Sequence, residues 1–97
     1  MFDYKLTLQQ LCQAENYMGR LTAMIDMYDL VIGDSAVYFE FKGSRKANRI
    51  LIEYDCTTDL YNMAIFRGAV TVARVGGLYA EDLKPIFERV TGLYLSL

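Results

Sequence analysis

The sequence predicts an α+β fold: a two-layer sandwich in the order α-β-β-β-β-α. Its meandering antiparallel four-stranded sheet is covered on one face by a long N-terminal helix and a shorter C-terminal helix. Three observations carry this expectation. Residues 6 to 28 repeat apolar side chains at helical spacing, the period changes to two from Val37 onward, and a helical period returns after Gly76-Gly77. At 97 residues and 54% apolar content the chain suits one core, so residues 1 to 97 read as a single compact domain.

The first helix is expected to begin with Thr7 as N-cap and Gln10 three residues on, the spacing of a capping box, with Leu6 and Leu11 forming the accompanying hydrophobic staple. Leu11, Ala14, Met18, Leu21, Ile25 and Tyr28 share one arc at 100° per residue, which Tyr17 and Met24 widen to roughly 140°. On the same wheel Cys12, Ala23 and Met27 fall among polar neighbours on the far surface. Gly19 lowers helix stability by about 1 kcal/mol relative to alanine unless a close neighbour requires it. Leu30-Val31-Ile32 fits either a continuation of the helix or a brief edge strand.

Val37, Phe39 and Phe41 alternate with Tyr38, Glu40 and Lys42 in a half-buried strand, and residues 49 to 55 follow as a second strand rich in β-branched side chains. The intervening Gly43 to Asn48 has the composition of a hairpin loop. Residues 60 to 67 and 69 to 75 make two more strands around Gly68, whose freedom at positive φ suits a tight turn. Gly76-Gly77 is read as punctuation between sheet and helix. The last helix is expected over about residues 80 to 91, with Pro85 in its first turn and Gly92 just past its end. Leu93, Leu95 and Leu97 then alternate in a docked tail or short final strand.

Composition excludes much chemistry. There is no histidine, so Ser-His and Cys-His nucleophilic pairs cannot form within one chain. Cys12 and Cys56 match no zinc spacing and are too few for a disulfide framework. Cys56 lies between Asp55 and Asp59, whose charges oppose thiolate formation. That loop lacks the alternating ligands and glycine of a calcium loop, so its carboxylates read as turn formers. Gly76-Gly77 ahead of a helix matches no phosphate-binding pattern, and Glu81 and Asp82 would repel phosphate there. No cofactor, metal site or catalytic residue is expected. No apolar run is long enough to span a bilayer, and residues 1 to 5 do not open a signal peptide, so the expected location is the cytoplasm.

Two surfaces remain as candidates for partners. Lys42, Arg45, Lys46 and Arg49 place four of the ten basic residues within eight positions at a hairpin tip. The net charge is −2, so the rest of the chain carries −6. Such a tip can contact nucleic-acid phosphates, but a pI near 5.0 gives no long-range attraction to a polyanion, and a solvated loop outweighs that reading. The second surface gathers Tyr17, Met24, Met27, Tyr38, Tyr61 and Tyr79, residue types favoured at interfaces. The leading expectation is a non-catalytic protein-interaction module, a regulator, accessory subunit or mobile-element-type inhibitor, with a protein partner or a second copy as its target. A nucleic-acid-binding module using residues 42 to 49 ranks next, and a small-ligand-binding domain last.

Overall fold

The computed structural model describes residues 2–95. Among these residues three α-helices cover one face of a five-stranded antiparallel meander in which each strand pairs with the next, β1-β2-β3-β4-β5. The helices are α1 (Tyr4–Cys12), α2 (Tyr17–Ile25) and α3 (Leu83–Thr91); a single 3₁₀ turn, Ala80–Asp82, leads into α3. The strands are β1 (Tyr28–Ile32), β2 (Ala36–Glu40), β3 (Arg49–Asp55), β4 (Leu60–Arg67) and β5 (Val70–Leu78). The α+β class and the meander stand as expected from the sequence; the strand number and the N-terminal helix do not.

The expected long helix is two. Gln13 takes the left-handed conformation, with φ 55°, and ends α1. Asn16 then starts α2 by accepting the Gly19 amide on its side chain at 3.2 Å. A Cβ at Gly19 would lie 2.5 Å from that Asn16 amide, so the glycine keeps the cap's side chain in place. The break resets the helical phase. Cys12 and Met27, placed on the far surface by one continuous wheel, are buried, and Met18 is exposed. Nor is Thr7 the N-cap: Asp3 accepts the Lys5 and Leu6 amides, and Thr7 is buried one turn in.

Residues 30 to 32 belong to a strand. Asp29, with φ 52°, sits in a bulge between the Tyr28–Glu40 and Val31–Tyr38 pairs, which hides the two-residue period of β1. Gly76 and Gly77 stand inside β5 rather than after it. They lie opposite the single residue Asn62, whose side-chain Oδ1 accepts the Gly77 amide at 3.3 Å; Gly77 has φ 66°, and a Cβ on Gly76 would come within 2.9 Å of that oxygen. Pro85 falls in the first turn of α3 and Gly92 caps it in the left-handed conformation, as expected. Leu93 is half-buried and Leu95 fully so in a docked tail: the Leu95 amide donates to Glu88 and its carbonyl accepts from Arg20. Leu97 lies outside the described residues.

Strand register sorts side chains onto two faces. One row runs Val37–Ile52–Met63–Val75 and the next Phe39–Ile50–Ile65–Ala73; these face Leu8, Leu11, Leu21, Ile25, Leu83 and Phe87 of the helices in one core. Phe41, just past β2, closes that core between the rings of Phe39 and Phe87, at centroid distances of 6.2 and 5.3 Å.

Candidate functional site

The β2–β3 loop is built rather than loose. Ser44 Oγ donates to the Thr91 carbonyl at 2.6 Å and accepts the amides of Lys46 and Ala47, and Ala47 is buried beneath it. The Phe41 amide donates to the Asn48 carbonyl, and the Lys42 amide to that of Ile25. This anchoring divides the four basic residues singled out in the sequence. Arg49 pairs with Glu40 at 3.3 Å, and the Lys42 ammonium stands 5.2 Å from the Tyr28 ring centre. Arg45 and Lys46 are exposed, and the Arg67 guanidinium joins them by donating to the Arg45 carbonyl. The basic surface is therefore Arg45, Lys46 and Arg67 at one end of the sheet, with Lys42 and Arg49 partly engaged. Arg67 is distant in sequence, and no local charge count could have found it.

The second surface is the sheet face that the helices leave open. Register aligns Val31, Tyr38, Leu51, Ala64 and Arg74 in one row across all five strands. The adjacent row is Tyr28, Glu40, Arg49, Phe66 and Thr71. Leu51 and Phe66 lie beside Tyr38 and Arg49 in an open groove of about 360 Å³ that reaches the Gly68-Ala69 turn. Val31 is 57% exposed, and Val72, on the free edge of β5, is 40% exposed. Packing of the helices on the opposite side leaves this apolar row without a cover among the described residues. Burial pushes the Tyr38 phenol up, with the Glu40 charge adding to it.

Of the six aromatic and methionine side chains named from the sequence, only Tyr38 lies on this face. Met27 and Tyr61 are core residues, and Tyr17 and Met24 lie half-buried against the helical side of the core. Tyr61 points inward because it shares strand parity with Met63 and Ile65. Its hydroxyl donates to Gln10 Oε1 at 2.9 Å and lies 3.2 Å from Thr7 Oγ1, so the burial of Thr7 and Tyr61 leaves neither hydroxyl unpaired. Tyr79 is 61% exposed at a different place, where the 3₁₀ turn begins.

That place is the end of the sheet opposite the basic loop. There the β3–β4 turn, the start of α1 and the 3₁₀ turn enclose a cleft of about 370 Å³. Tyr54 forms one wall, stacked on Phe2 at 6.4 Å and donating its hydroxyl to Asp59. Because the bond to Asp59 requires the protonated phenol, the Tyr54 pKa is pushed up from 10 to about 12, with desolvation second and the Asp59 charge after it. A group whose pKa is raised on folding contributes stability below its unfolded value and loses it as pH climbs through the folded one. The protein should therefore lose stability between about pH 10 and pH 12, and Tyr54→Phe should make that loss shallower. Denaturant midpoints measured across this interval for both proteins check it; identical slopes would count against the bond.

Cys12 is buried with its thiol donating to the Leu8 carbonyl, and desolvation raises its pKa, which disfavours the reactive thiolate. Cys56 is exposed in the β3–β4 turn, where Asp55 accepts the Thr57 amide as a turn former. Among the described residues no three His, Cys, Asp or Glu side chains gather at metal-binding distance, and no helix is long and apolar enough to cross a membrane. No protein-family model matches the chain, and neither does any curated protein or solved structure.

Proposed function

We propose that the chain is a small non-catalytic protein-interaction module that works by laying the helix-free face of its sheet on a protein partner or on a second copy of itself. The observation that supports this is the row Val31, Tyr38, Leu51 and Ala64, extended by Phe66 next to it: apolar side chains from four adjacent strands on a face with no helical cover. An antiparallel sheet with one solvated face normally alternates apolar inside with polar outside. Here the outer face keeps tyrosine, leucine and phenylalanine on its three middle strands and a valine on the β1 edge. Val31 is exposed and Tyr38, Leu51 and Phe66 are partly so around the buried Ala64, and apolar surface left open in this way marks interaction sites.

Charge placement fits the same reading. Glu40 and Arg49 pair beside the apolar row, and Arg45, Lys46 and Arg67 flank one end, an arrangement suited to orienting a partner at the rim while the centre supplies contact. We place the activity in the cytoplasm, in keeping with two cysteines that stay unpaired.

A photo-crosslinking amino acid at position 31 or 38 tests the docking face inside cells. The expected result is one discrete adduct from both positions, and none from position 15 on the helical side. Adducts of equal yield from all three positions, or none from the outer face, would overturn the assignment.

A further inference from the structure

We propose that the cleft at the acidic end of the sheet is a binding site for an organic cation, a guanidinium or alkylammonium group of the kind an arginine or lysine side chain carries. It is separate from the sheet face proposed for docking and does not depend on that reading. The cleft is a cavity with aromatic walls: Phe2 and Tyr54 stack with an interplanar angle of 28°, and the exposed Tyr79 lines it as well. Faces of aromatic rings attract a cation held within about 6 Å, by roughly 0.5 kcal/mol where exposed and 2 kcal/mol or more where desolvated.

The charges in the cleft have one sign. Asp3, Asp59 and Glu81 line it, and neither lysine nor arginine does among the described residues. Two of these carboxylates are held in place by the fold: Asp3 accepts two amides at the start of α1, and Asp59 accepts the Tyr54 hydroxyl. An anion entering here would be repelled, and a neutral apolar group would strip water from carboxylates without replacing it. A guanidinium or ammonium satisfies both components, stacking on the rings and donating to the carboxylates. The volume, about 370 Å³, is at the small end of ligand clefts and suits a single side-chain head group with its stem.

The test is an amide-shift NMR titration of the isolated chain with N-acetyl-arginine amide, N-acetyl-lysine amide and the neutral isostere N-acetyl-citrulline amide. Saturable shifts centred on Asp59, Tyr79 and Glu81 are expected for the two cations, with Kd on the order of 1 mM for ligands of this size. Tyr79→Ala, at an exposed side chain, and Glu81→Gln, which keeps the shape and removes the charge, should each weaken binding by about threefold or more, and added salt should weaken it further. The order of the two cations names the preferred head group. The proposal is overturned if citrulline amide binds as well as arginine amide, if neither cation gives a saturable shift, or if both variants bind as the parent does.

Discussion

Phe41→Ala is expected to destabilise the protein by about 3–5 kcal/mol, the range for truncating a buried phenylalanine whose cavity cannot collapse. The site has little freedom to collapse. Phe41 is fully buried, its ring meets Phe39 and Phe87 edge-on, and its backbone is held at both ends, by Asn48 across the loop and by Ile25 through the next residue. A domain of this length has a total stability of roughly 5–15 kcal/mol, so the substitution removes a large share of it. Thermal and urea unfolding measure the loss directly. A second consequence separates packing from a general loss of stability. The basic loop is tied to the core through Phe41 and Lys42, so its amides, Lys46 and Ala47 above all, should exchange faster in Phe41→Ala than in a variant of equal stability made elsewhere. A double-mutant cycle with Phe87→Ala should return about 0.5–1.5 kcal/mol of coupling, the contribution of an edge-to-face ring pair. A stability change under 1 kcal/mol, or no coupling, would contradict the packing described.

Parts of this architecture can be read from residue order because the physics behind them is local. Alternation of Val37, Phe39 and Phe41, then of Ile50 and Ile52, marks strands whose one face is buried, and the loop between them follows from its composition. β4 and the positive φ of Gly68 follow in the same way. The N-terminal region resists this reading because its apolar arc stays nearly continuous across a break made by Gln13, a non-glycine in the left-handed conformation. One signal was available: Asn16, three residues ahead of Gly19, is a good N-cap, and it competes with helix continuation. β1 was obscured by Asp29 in its bulge, and the role of Gly76-Gly77 depended on Asn62, a residue on the neighbouring strand.

The two candidate surfaces differ in the same respect. The outer-face position of Tyr38 follows from strand parity alone, and the same parity assigns Tyr61 inward with Met63 and Ile65. The acidic cleft joins the start of α1, the ends of β3 and β4 and the 3₁₀ turn, segments separated by tens of residues, so only tertiary folding brings Asp3, Asp59 and Glu81 together. Polarity follows from the meander itself. Successive turns alternate between the two ends of an antiparallel sheet, so the loop bearing Arg45 and Lys46 and the turn bearing Asp59 are held apart. Their charges do not neutralise each other, and each remains available to a partner.

Leu51→Glu is expected to weaken binding to the partner of the outer face by at least about thirtyfold, equivalent to roughly 2 kcal/mol, the scale of an interface hot spot. Leu51 is on the central strand, flanked by Tyr38 on β2 and Ala64 on β4, so an interface covering this face must bury its side chain near the middle. A carboxylate there would be desolvated without a partner, and the Arg49–Glu40 pair already engages the nearest cation. The fold should tolerate the change because the side chain is half-exposed and contributes to the outer face, not to the core shared with the helices. Affinity for the crosslinked partner, or the sedimentation-derived dimer constant where the partner is a second copy, gives the readout, with urea unfolding as the folding control. Arg45→Ala with Lys46→Ala provides the contrast: rim charges should slow association and reduce its salt dependence while leaving dissociation nearly unchanged. If the basic pair rather than Leu51 controls affinity, and that affinity collapses with salt, the chain is a polyanion binder acting through residues 42 to 49, and the sheet face is not its docking surface.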